Sequence, residues 1–65
     1  MSEPAALSHL SPRHERILEI LKRERVVEVG RLSDVLGVSA VTIRSDLDAL
    51  ERRMLLRRIR GGATS

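Results

Sequence analysis

A chain of 65 residues makes one small domain or part of one. It has no cysteine and no aromatic residue, which excludes disulfides and thiolate metal sites and leaves a core of Leu, Ile, Val and Met, suited to packed helices rather than a β-sandwich. The formal net charge of +3 is unevenly placed: positions 52–65 carry five arginines and no acid, whereas the preceding 51 residues carry seven basic and nine acidic side chains.

Positions 1–10 mix Ala, Ser and Pro without periodicity and are predicted to be a flexible leader. They lack the basic start and apolar stretch of a signal peptide. No apolar run approaches the roughly 20 residues of a membrane span, so a cytoplasmic protein without membrane contact is expected. Ser11-Pro12 reads as a helix start, an N-cap followed by a proline whose missing N–H is harmless in the first turn. Ile17, Leu18, Ile20 and Leu21 give an apolar stripe, and the first helix is predicted from Pro12 to about Arg25.

Val26–Val29 is a short β-branched run, read as an extended link before the next helix or as a brief strand, which would pair with Leu55–Arg60. A second helix is predicted from about Gly30 to Leu36, with Leu32, Val35 and Leu36 inward, closed by Gly37. Ser39 then caps a third helix over about 39–53, whose buried stripe is Ile43, Leu47, Leu50 and Met54. Leu56 and Ile59 are the expected inward residues of the following strand, and Gly61-Gly62 is a turn signal. Ala63-Thr64-Ser65 is too short for a full return strand, which suggests the N-terminal piece of a longer protein. The expected fold is mainly α: a three-helix winged helix-turn-helix with a short β-hairpin wing over 11–63, and 64–65 begin a linker to a C-terminal domain.

Four stretches carry a resemblance to the DNA-binding domain of the DeoR family of bacterial transcriptional repressors. They are Arg16-Ile17-Leu18-Glu19-Ile20-Leu21; Val26 through Leu36, with Arg31-Leu32-Ser33 where the family usually has Glu-Leu-Ala; Gly37 through Leu47, similar to V-S-x-x-T-I-R-R-D-L; and Leu56 through Ala63, similar to L-x-R-x-x-G-G-A. Two departures stand out: Ser45 replaces a second arginine, and Met54 replaces a glycine, so the third helix could run on into Leu55. The resemblance implies sequence-specific binding of double-stranded DNA by a repressor of sugar-metabolism genes, homo-oligomeric when full length. A phosphorylated-sugar effector would bind only in a C-terminal domain that lies outside this chain.

A major groove about 12 Å wide admits one helix, whose first residues reach the base edges. Here these are Ser39, Ala40, Val41, Thr42, Arg44 and Ser45. Ser39 can cap the helix or hold a phosphate, and Thr42 can touch DNA or pack against the second helix. Ala40 and Val41 can meet thymine methyls or simply let the helix approach closely. Arg44 can fork onto a guanine or pair with Asp48 one turn away. Arg57, Arg58 and Arg60 can grip phosphates or enter a minor groove, or can simply protect an edge strand by charge, and Gly61 and Gly62 allow the backbone to approach the sugar-phosphate chain closely. Asp46 is expected to be structural, paired with Arg16 or Arg58. His9 and His14 carry little. With no metal-ligand cluster, nucleophile–base pair or phosphate-cradling loop, neither an enzyme nor a cofactor is expected. A protein-docking winged helix and a non-specific nucleic-acid binder are the alternatives.

Overall fold

The computed structural model describes residues 10–65, so the expected leader, with His9, lies outside them except for Leu10. The elements are α1 (Pro12–Glu24), β1 (Val26–Glu28), α2 (Val29–Leu36), α3 (Ala40–Arg52), β2 (Arg57–Ile59) and β3 (Gly62–Thr64). Three helices and a small antiparallel sheet thus form a mainly helical winged helix-turn-helix.

Each helix begins or ends where local chemistry requires it. At the start of α1, Ser11 Oγ accepts the His14 N–H at 3.1 Å, and Pro12 opens the first turn. Gly37 closes α2 with φ 70°, a left-handed conformation that a side chain would oppose. Across that turn Ser33 Oγ donates to the Val38 carbonyl at 2.5 Å, so the link between α2 and α3 is braced from within.

The helix α3 does not run on into Leu55. It stops at Arg52, and Met54 adopts φ 62° while the Met54 and Leu55 amides donate back to Glu51 O (2.8 Å) and Leu50 O (3.0 Å). This is the double bond of a Schellman end, here without the usual glycine. Met54 was expected on the buried stripe but is 89% exposed, because the left-handed turn swings it off the helix face.

Ile17 and Leu21 of α1, Val29 and Leu32 of α2, and Ile43, Leu47 and Leu50 of α3 meet at the centre, closed by Val27, Leu56 and Ala63. Each fully buried Leu or Ile contributes about 1.5–3 kcal/mol. Val35, expected inward, is exposed: the inward stripe of α2 runs through Val29, Leu32 and Leu36, at steps of three and four, and Val35 lies to one side of it.

The sheet corrects the expected pairing. The strand order is β1-β3-β2, with β3 in the middle: Val27 pairs with Ala63, and Ala63 pairs with Arg58. Three residues suffice for the return strand because the turn is only Arg60-Gly61, with Gly61 at φ 75°. Gly62 is not part of the turn. It is buried in β3, and a Cβ there would stand 2.2 Å from the Val27 carbonyl oxygen, so only glycine lets β3 slide between its neighbours. Thr64, expected to open a linker, ends β3 and donates its hydroxyl to the Arg25 carbonyl at 3.0 Å.

Strand parity explains a second correction. Register partners in an antiparallel sheet share a face. Val27, Ala63 and Arg58 take the core side, which leaves Ile59 with Arg57 on the outer side.

Candidate nucleic-acid interface

The first turns of α3 form an exposed ridge. Ser39 and Thr42 hold each other: Ser39 Oγ accepts the Thr42 amide and donates to Thr42 Oγ1, both at 3.1 Å. Ser39 is therefore a working cap whose hydroxyl is committed locally. Ala40 is half-buried against the core, so its small size serves packing. Val41 is 72% exposed, an apolar β-branched side chain in a position where propensity does not favour it. Arg44 and Ser45 are exposed beside it.

Two carboxylates on α3 take partners that local spacing does not reveal. Asp46 is 6% exposed. It accepts from Arg13 Nε at 2.5 Å and Arg13 Nη2 at 3.0 Å, and its Oδ1 lies 2.9 Å from His14 Nε2. The structural role is as expected, but the partners are on α1 rather than Arg16 or Arg58. Burial acts most strongly on the Asp46 carboxyl and pushes it up. The hydrogen bonds from Arg13 and His14, with their charge attraction, together outweigh this and hold it below its ordinary value. His14, which seemed empty in the sequence, is one of the two clasps. Two basic side chains in the first turn of a helix oppose its dipole, and that was the available sign of an acidic partner elsewhere.

Asp48 is bound not to Arg44 but to Arg58, whose Nη1 donates to Asp48 Oδ1. Arg58 Nε also donates to the Gly62 carbonyl at 3.2 Å, and the Arg58 amide donates to Glu51 Oε2 at 2.9 Å. Arg58 thus stands between hairpin and α3 with its amide, Nε and Nη1 engaged. Gly62, facing β1, offers no exposed backbone. By contrast Arg57 and Arg60 are exposed. Among the described residues neither they nor Arg44 form an ion pair. Elsewhere, Arg31 is drawn away by a forked bond to Glu24 (2.5 and 2.9 Å), which ties α1 to α2 and lowers the Glu24 carboxyl. The described residues contain no group of side chains able to hold a metal ion and no helix long and apolar enough to cross a membrane.

An exposed, capped second helix of a helix-turn-helix, flanked by an arginine-bearing hairpin, defines the class: a DNA-binding winged helix-turn-helix domain. Residues 13–65 match the DeoR-like helix-turn-helix domain, and the chain belongs to that family. It is 42% identical over 53 residues to the transcriptional repressor AccR of Agrobacterium fabrum, covering 82% of this chain and 20% of that protein. To the lactose phosphotransferase system repressor of Lactococcus lactis it is 45% identical over 51 residues, covering 78% and 20%. To the HTH-type transcriptional regulator GolR of Listeria innocua it is 39% identical over 51 residues, again 78% and 20%. The chain spans about a fifth of the length of these relatives. No solved structure matches it significantly.

Proposed function

We propose that this domain reads a specific double-stranded DNA sequence for a bacterial transcriptional repressor of sugar-metabolism genes, with α3 in the major groove. The observation that carries the reading is the exposed Arg44 on the first turns of α3, beside Val41 and Ser45, which forms no ion pair among the described residues. In this pose Arg44 forks onto a guanine, Val41 meets a thymine methyl, Thr42 and Ser45 lie against phosphate or base edges, and Ser39 caps the helix end that a phosphate approaches. Ala40 allows close approach. Arg57, Arg60 and Gly61 at the hairpin supply phosphate or minor-groove contacts. Arg58 and Gly62 are left out of the contacting set because their groups are engaged within the fold.

The sugar connection rests on the relatives, one of which is named for a lactose phosphotransferase system. A phosphorylated-sugar effector and homo-oligomerisation follow from the family resemblance and belong to segments beyond this domain.

Selection of duplexes from a random pool tests the reading directly, followed by salt titration on a selected and a random duplex. With four or five phosphates neutralised, log K falls against log salt with a slope of about −4. Arg44→Ala is expected to lose about tenfold or more on the selected duplex and to flatten the preference at one base pair. Equal loss on both duplexes would make Arg44 a phosphate contact. A salt slope without any sequence preference would mark a non-specific binder, and no duplex binding at all a protein-docking module.

A further inference from the structure

We infer that Asp48 and Arg58 are positioning residues that hold the hairpin at a fixed angle to α3 and thereby set how well the domain discriminates between DNA sequences. The inference rests on the DNA-reading pose above. Asp48 is an acid on the outer side of a helix that approaches a polyanion, where its charge opposes binding. Its side chain is 53% exposed, and its partner Arg58 is 24% exposed. A surface pair of this kind adds little stability, so its value lies in geometry.

That geometry is specific. Asp48 and Glu51 are three residues apart and share one face of α3. From that face Asp48 takes the Arg58 guanidinium and Glu51 takes the Arg58 amide, while Arg58 Nε reaches the Gly62 carbonyl. One arginine therefore joins the helix to both strands of the hairpin, and Glu51 covers an outward N–H of the edge strand β2. The same face carries Arg44 one turn nearer the N-terminus, about 6 Å along the axis. Arg44 and Asp48 stand at the i,i+4 spacing of a helical ion pair. With Asp48 occupied by Arg58, Arg44 makes no such pair among the described residues. The Asp48–Arg58 contact both fixes the wing and keeps the reading arginine available.

The test has a DNA-free arm and a DNA arm, both on the full chain. In hydrogen exchange, Asp48→Asn is expected to open the β2 and β3 amides about two- to five-fold faster, with the α1 amides unchanged. Unchanged hairpin exchange overturns the inference alone. On DNA, Asp48→Asn removes one negative charge. If Asp48 were only a charge, selected and random duplexes would both bind more tightly and by the same factor, which overturns the proposal. The expected result is a selected-to-random ratio about fivefold lower.

Arg58→Met is expected to lose more on the selected duplex than on the random one. Equal losses, with a salt slope shallower by about 0.9, would make Arg58 a phosphate contact and overturn the proposal. A wild-type chain that fails to discriminate at all defeats the DNA-reading pose, and the discrimination role with it. The exchange arm then shows whether the hairpin is held as inferred.

Discussion

Two aspartates two residues apart on α3 face opposite sides of the helix and meet opposite physics. Asp46 is buried, clasped by Arg13 and His14 from α1, and joins the reading helix to the body of the domain. Asp48 is half in solvent, holds Arg58, and joins the same helix to the hairpin. A buried carboxylate cannot lose its partners without leaving an unpaid desolvation cost. An exposed one can, because water replaces the partner. The α1 side of α3 is therefore fixed by stability, and the hairpin side by orientation.

The comparison breaks most severely at Gly62. Gly62→Ala places a methyl against the Val27 carbonyl, and backbone must move. A loss of about 3 kcal/mol or more in urea unfolding is expected. An unchanged midpoint would show that β3 can withdraw from β1 without cost.

Next comes Asp46→Asn, expected to lose about 2 kcal/mol through its charge-assisted bonds. The pH dependence sharpens this. The Asp46 carboxyl titrates lower folded than unfolded. Its contribution is therefore complete above about pH 4, the ordinary aspartate value, and disappears as the pH falls through the lower folded value. Thermal melts of the wild type should lose stability in that acid window faster than those of Asp46→Asn; parallel curves would remove Asp46 from the account. Smallest is Met54→Gly, at the end of the helix both aspartates share. Met54 holds φ 62° and buries almost nothing, so glycine is expected to stabilise the domain by about 1 kcal/mol. A destabilised variant would mean that the methionine makes contacts of its own.

Much of the fold was legible because it rests on local chemistry. Ser11-Pro12, Gly37 and Ser39 mark helix ends through bonds made within four residues, and the stripe Ile43, Leu47, Leu50 follows from helical period alone. The hairpin was less legible. A three-residue strand has too little pattern to reveal its register, and the central position of β3 depends on a missing Cβ meeting a carbonyl 35 positions earlier. Of the candidate site, Val41, Arg44, Arg57 and Arg60 stand exposed as expected, whereas Arg58 and Gly62, alike in sequence terms, are committed inside the fold.

By itself the sequence determined the helices, their order, the tight turn between the second and third, and the concentration of arginine near the C-terminal end. These follow from periodicity, capping and composition, each read within a few residues. Only the tertiary structure decided which charges are spoken for. Asp46 finds partners 32 and 33 positions away, and Asp48 passes over Arg44 for an arginine ten positions on. Pairing between charges depends on distance and burial in the folded molecule, and neither is encoded in spacing along the chain.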